Sequence, residues 1–107
     1  MKKFKLKNSE LKKLVTKAGG CIATDRITVD GEKVGYMYRE EPSNNVDSGW
    51  RFFAGDETDE YVNNAENLEI YDVNTICNYD ESIMPYLNSD IGSSYEKIDG
   101  KFKEINK

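Results

Sequence analysis

The sequence predicts an α+β domain in which a small, mainly antiparallel sheet is accompanied by an N-terminal helix and short helical connections. Segments rich in β-branched and aromatic residues recur between turn-forming residues, whereas helical patterns are confined to the start and the connections. The 107 residues have the length of one ordinary domain, and the twelve aromatic residues argue against disorder. Residues 1–107 are therefore expected to form a single domain.

Residues 1–18 are expected to form a basic helix, since they contain seven lysines and one glutamate. Asn8 or Ser9 can cap its start, and the glycines at 19 and 20 can end it. The lysines have three interpretations: a solvated face, a contact with an anionic partner, or a contact with the acidic remainder of the chain. The spacing i, i+3, i+4 gives the helix one apolar stripe, which consists of Leu11, Leu14 and Val15.

Six segments have the composition of strands. The clearest is KVGYMYRE at 33–40, in which side chains alternate between two faces. The paired phenylalanines of WRFFA suggest that the strand at 50–54 is covered on both sides. Asp99-Gly100 suits the type I′ turn of a hairpin. The remaining predicted strands are 21–24, 68–73, 95–98 and 102–105, and the predicted helical connections are 58–64, 73–77 and 82–87.

The absence of histidine excludes several kinds of catalytic and metal site. Ser-His-Asp triads, Cys-His pairs, histidine zinc sites and imidazole proton shuttles all require it. Cys21 and Cys77 are far apart and are expected to be reduced and at least partly buried. No apolar run approaches the ~20 residues of a membrane span, and the start lacks a secretory signal. We therefore expect a cytoplasmic protein with no membrane partner.

Between residues 40 and 72 the chain has ten acidic residues and a single basic one, Arg51. Such a field repels nucleic acid and attracts a basic protein surface. Its densest part, GDETDE at 55–60, is expected to contact a protein partner together with Trp50 and Tyr61, because these residue types are enriched at binding hot spots. Arg51 itself is expected to pair with a neighbouring glutamate.

The same carboxylates allow other interpretations. They can form a solvated loop at a helix N-terminus, or bind Ca²⁺ or Mg²⁺, which prefer oxygen ligands. With Tyr36 or Tyr71 they can form a small-molecule or metal-binding module, and paired carboxylates also serve glycoside hydrolysis. Their spacing does not match an EF-hand loop. We predict no catalytic residue, cofactor or metal site, and the ligand-binding module is the alternative function.

Five sequence blocks follow one another along the chain: GCI at 20–22, KVGYMYRE at 33–40, DSGWRF at 47–52, GDE at 55–57 and YDVNTIC at 71–77. Together they resemble the bacterial DUF2185 family, also called the Imm33 immunity proteins. The resemblance covers about residues 19–96 and leaves the lysine-rich start and the last hairpin outside. It implies a protein that binds and blocks a toxin made by the same cell or its kin.

By this resemblance the chain is an immunity-type protein that neutralises a cognate bacterial toxin through an acidic surface and without catalysis. An acidic inhibitor can cover a basic active site and associate with it rapidly, in a salt-sensitive manner. The resemblance implies five motif positions: Trp50, Arg51, Gly55, Asp56 and Glu57. Trp50 and Gly55 also fit a packed anchor and a turn. The predicted partner-binding residues are Trp50, Arg51, Asp56, Glu57, Asp59, Glu60 and Tyr61.

Overall fold

The computed structural model describes residues 2–105, which form a six-stranded sheet in the order β4-β1-β3-β2-β5-β6. The sheet is mixed: β1 and β3 are parallel, and the other four pairings are antiparallel. In this order β1 is an interior strand, between β4 and β3. The strands are β1 (Gly20–Thr24), β2 (Tyr36–Arg39), β3 (Asp47–Phe53), β4 (Leu68–Asp72), β5 (Ser94–Ile98) and β6 (Lys101–Glu104).

The helical segments at 25–28, 73–79 and 81–86 cover one face of the sheet and enclose the core. Successive side chains of a strand point to opposite faces, so every second residue of the central strands contributes to this core. Burial of each large apolar side chain stabilises the fold by about 1.5–3 kcal/mol. The helices are α1 (Asp25–Thr28), α2 (Asp59–Asn63) and α3 (Val73–Tyr79), with 3₁₀ turns at Asn8–Glu10, Ala65–Asn67 and Glu81–Tyr86. The largest fully buried side chains include Ile27, Met37, Trp50, Phe52, Ile76 and Ile83.

The predicted N-terminal helix does not form. The only helical turn between residues 2 and 19 is the short 3₁₀ turn at Asn8–Glu10. The amides of Leu14 and Val15 instead donate hydrogen bonds to Asn74 Oδ1 of α3, at 2.7 and 3.0 Å. Asn78 Oδ1, one turn later, accepts from the Lys12 amide at 2.8 Å. A short, lysine-rich helix is marginal on its own, and these bonds satisfy the same amides in a non-helical conformation.

This N-terminal strap, residues 2–19, lies against the body of the protein. Leu14 and Val15 are half-buried and pack on the core, although in a different backbone conformation from the predicted one. Lys2 Nζ lies 2.9 Å from Asp25 and 3.5 Å from Glu69. Of the three interpretations of the lysines, the structure shows for Lys2 the contact with the acidic remainder of the chain.

All six predicted strands are present, with shifts at their ends. The predicted hairpin turn is confirmed, because Asp99 and Gly100 both have positive φ (52° and 81°) as type I′ requires. Helix α1 was not predicted, since its four residues carry no helical periodicity. Gly49 lets β3 pass close to β2: its φ is +90°, and a Cβ there would collide with the carbonyl oxygen of Glu40.

Candidate binding surface

Trp50 lies in the core and not on a surface. It is on the helix-covered face of β3 and only 1% exposed, and its indole N–H donates to the Leu87 carbonyl at 3.1 Å. The ring stacks on Phe52, and the Arg39 guanidinium carbon lies 5.9 Å from its centroid. The prediction of Trp50 as a partner contact therefore does not fit its position, because a buried indole with a satisfied N–H offers nothing to a partner.

Arg51 is also buried, at 5% exposure, although it points to the opposite face of β3. Its two terminal nitrogens donate to the Asp47 carboxylate at 2.9 and 2.8 Å, and its Nε donates to Glu40 at 2.6 Å. The hydrogen bonds from Arg51 hold the pKa of Asp47 well below its usual range. The predicted pairing with Glu40 is present, and Arg51 links the residue that follows β2 to the first residue of β3.

Glu57 closes the turn that follows β3. Its carboxylate accepts from the backbone amides of Ala54 and Gly55, both at 2.8 Å, and from the Thr24 hydroxyl at 2.6 Å. A carboxylate with three donors inside its own chain has little capacity left for a partner. Glu57 is therefore a structural residue that joins the end of β1 to the end of β3.

Asp56 faces solvent but has a partner in the chain. Its carboxylate accepts from Arg26 of α1, with the shorter contact at 2.6 Å, and Arg26 also contacts Asp30 at 2.9 Å. The hydrogen bond from Arg26 lowers the pKa of Asp56. The negative charge of Asp56 is therefore partly offset by a neighbouring cation, which weakens its contribution to an acidic field.

Asp59 and Glu60 are exposed in the first turn of α2. Within the described part of the chain neither carboxylate has an ion-pair partner. The Thr58 hydroxyl caps the helix by accepting from the Tyr61 amide at 3.1 Å, and the Tyr61 side chain is half-buried. These two carboxylates, with Tyr61 beside them, are the part of the predicted acidic site that remains available to a partner.

The face of the sheet opposite the core carries an aromatic cluster. Tyr36 and Tyr38 of β2 lie beside Phe53 of β3, with ring centroids 5.7 to 5.8 Å apart. All three are half-buried. The available signal was the paired phenylalanines, because consecutive strand residues point to opposite faces and Phe52 occupies the core.

A second apolar group on this face surrounds Ile70, which is 80% exposed, and includes the 74% exposed Val46. Ile70 lies opposite Ile22 of β1 across the strand pair. We call this group the Ile70 surface; it consists of Ile22, Val46, Val62, Leu68 and Ile70. The sequence pattern does not reveal the Ile70 surface, because Ile70 has the sequence context of an ordinary strand residue. Its exposure results from the position of β4 at the edge of the sheet.

A model of the Imm33 immunity protein domain matches residues 21–106. The chain belongs to the Imm33 family. The match confirms the resemblance inferred from the five sequence blocks and extends it to the last hairpin. The N-terminal strap lies outside the matched residues. No curated protein and no solved structure matches this Imm33 chain. Membership of an immunity-protein family implies a protein toxin as the partner.

Several blocks that carry the Imm33 resemblance have structural roles in this chain. Trp50 fills the core, Arg51 joins Asp47 to Glu40, and Glu57 closes a turn. Cys21 and Cys77 are free and buried, as predicted, and burial raises the pKa of Cys77 to about 11. Within residues 2–105 no group of three or more metal-ligating side chains is placed to hold an ion, and no helix is long and apolar enough to cross a membrane.

Proposed function

We propose that this Imm33 protein acts in the bacterial cytoplasm, where it binds a cognate toxin and neutralises it by direct contact, without catalysis. The observation that carries the proposal is the pair of exposed, unneutralised carboxylates of α2 in a member of an immunity-protein family. Of the seven residues predicted from the sequence, Asp59, Glu60 and Tyr61 form the centre of the proposed contact, and Asp56 lies at its border.

The charge around α2 supports an electrostatically steered association. From Asp59 to Asp72 the chain has five acidic residues and no basic one. A field of one sign raises the rate at which an oppositely charged partner arrives, more than it raises the lifetime of the complex. A toxin with a basic active-site surface is the class of partner that this field favours.

The proposal is tested first by a pull-down from the native host at low and at high salt, with bound proteins identified by mass spectrometry. A single basic protein that elutes with salt is expected. The captured protein, expressed alone, should inhibit growth. Co-expression of the Imm33 protein should restore that growth. Growth inhibition that the chain leaves unchanged would rule out an immunity role.

The captured toxin allows the surface to be tested. The double variant Asp59→Asn/Glu60→Gln is expected to slow association by roughly threefold to tenfold at low salt, with little change in dissociation. The matched control is Asp90→Asn/Glu104→Gln, which removes two exposed carboxylates elsewhere on the chain. Equal association rates for the two double variants, measured by stopped flow, would show that α2 is not the steering surface.

A further inference from the structure

We infer that the free edge of β4, together with the Ile70 surface, receives an extended, cation-bearing segment of the toxin as a seventh strand of the sheet. This inference rests on the proposed function for the identity of the partner and on the geometry of β4 for the mode of binding. Addition of a strand at a sheet edge uses the main chain for affinity and alternate side chains for specificity.

The hydrogen-bonding pattern leaves the backbone of β4 available. The Val73 amide donates to the Gly19 carbonyl at 2.9 Å, and residues in an antiparallel pair alternate between bonded and non-bonded positions. Tyr71 and Glu69 therefore direct their backbone groups toward β1, whereas those of Leu68, Ile70 and Asp72 point away from it. Since β4 is the last strand on this side of the described sheet, these outward groups have no neighbouring strand.

The two edges of the sheet differ in how they are protected. The sequence of β6 is KFKE, and lysines on an edge strand discourage pairing with another chain. The sequence of β4 is LEIYD, which has no basic residue and presents the exposed side chain of Ile70. The acidic residues of β4 discourage pairing with an acidic strand but not with a basic one, and the exposed Ile70 at its centre offers such a partner an apolar contact.

The surroundings of Ile70 have room for a partner segment on both sides. A hollow of about 400 Å³ lies between Ile70, Leu68 and Val62. A broader, open groove of about 1010 Å³ lies beyond Asp72, between the edge strand, Val46 and the end of the N-terminal strap. Both are lined by Ile70, so there is room for an extended chain on either side of this side chain.

The charges around β4 indicate which residue types the segment carries and where along the strand they lie. Glu66 and Asp72 are exposed without an ion-pair partner among the described residues, and Glu69 is only partly offset by Lys2 at 3.5 Å. The groove beyond Asp72 is lined by Lys13 and Lys17. We therefore expect the lysines or arginines of the segment beside Glu66 and Glu69, an apolar residue at Ile70, and an uncharged end beyond Asp72.

A second copy of the chain is the competing occupant of the edge. Antiparallel self-pairing centred on Ile70 would bring two acidic strands of a protein with net charge −5 together. Like charges at this distance oppose association, so the field favours a basic partner over a second copy.

The mode of binding is tested without the toxin by titrating the protein with a short peptide of alternating valine and lysine and recording backbone amide spectra. The expected perturbations are confined to Leu68–Asp72 and to the Ile70 surface. Ile70→Pro is expected to weaken binding at least about tenfold, since it blocks the outward edge. The substitution removes no bond to β1, because the Ile70 amide points outward.

Two controls separate edge blocking from loss of fold. Glu104→Pro places the same restriction on the opposite edge, where the Ile105 amide bonds to Ser94 and the Glu104 amide faces outward, and it should leave peptide binding unchanged. Ile70→Thr keeps the β-branched side chain and should weaken binding through loss of apolar contact, whereas Ile98→Thr on β5 should not.

The outcomes distinguish the inference from the proposed function. Perturbations outside Leu68–Asp72 and the Ile70 surface, or equal peptide binding by wild type and Ile70→Pro, would overturn the inference. So would a concentration-dependent dimer that Ile70→Pro abolishes, because the edge would then serve self-association. If the captured toxin is neutralised equally by wild type and Ile70→Pro, the edge is not the docking site although the immunity role stands. If peptide binds at β4 but no toxin is neutralised, the proposed function fails and the edge site remains.

Discussion

At the scale of single residues, the position of Arg51 shows how a charged residue in a strand becomes a structural element. Its guanidinium group pairs with Asp47 through a terminal nitrogen and with Glu40 through Nε, and the residue is only 5% exposed. Removal of one partner from a buried ion pair leaves an uncompensated charge, which costs far more than the loss of an exposed pair.

Arg51→Met is expected to lower the free energy of unfolding by about 3–5 kcal/mol, because Asp47, whose side chain is only 10% exposed, is left without its cation. The measurement is chemical denaturation of wild type and variant. Arg26→Met is the matched control, since it removes a solvent-facing guanidinium that also contacts two aspartates. If both variants lose the same stability, the burial of the Arg51 pair has no special energetic role.

At the scale of elements, two side chains of α3 hold the N-terminal strap in a non-helical conformation. Asn74 and Asn78 lie one turn apart on the same side of this helix. Besides accepting from strap amides, both donate to the Lys12 carbonyl, at 2.9 and 2.8 Å. Two asparagines thus take the place of the intrahelical bonds that the strap would make as a helix.

Asn74→Ala is expected to destabilise the protein by about 1–3 kcal/mol, since the amides of Leu14 and Val15 lose their shared acceptor. Hydrogen exchange should accelerate at these two amides first and leave the central strands protected. Asn63→Ala, an exposed asparagine of α2, provides the control. Unchanged exchange at Leu14 and Val15 would mean that the strap is held by its apolar contacts alone.

At the scale of the whole molecule, the carboxylates of Asp47 and Asp80 join separate parts of the chain and link stability to pH. Asp47 connects the β2–β3 loop to Arg51. Asp80 accepts from the Val34 amide at 3.0 Å and from Lys97 at 2.7 Å. Burial alone would raise the pKa of Asp80, but its bonds with Lys97 and Ser82 prevail and lower it.

Both lowered pKa values predict acid sensitivity. A carboxyl group whose pKa is lower in the folded state stabilises the fold above its unfolded pKa of about 3.9, and this contribution disappears as the pH falls through that value toward the folded pKa. The melting temperature should therefore be nearly constant near neutral pH and fall steeply below about pH 4. Asp47→Asn should lower the melting temperature at neutral pH and flatten its acid dependence. A variant as acid-sensitive as wild type would assign the effect to other groups.

Much of the local structure was predictable because it depends on neighbouring residues. The alternation in KVGYMYRE predicted β2, and Asp99-Gly100 predicted the last turn, since both signals are complete within a few residues. The acidic site was predictable only in part. Asp59 and Glu60 face solvent and Arg51 pairs with Glu40, as expected, whereas Glu57 is engaged by Thr24 of a distant strand, which local spacing does not reveal.

The sequence by itself determined the strands, the distribution of charge and membership of the Imm33 family, because composition and short-range periodicity encode them. Only the tertiary structure decided the parallel pairing of β1 with β3, the burial of Trp50, the exposure of Ile70 and the non-helical strap. The physical reason is that strand order, edge position and a hydrogen bond from the Leu14 amide to Asn74, 60 residues away, depend on how the whole chain closes on itself.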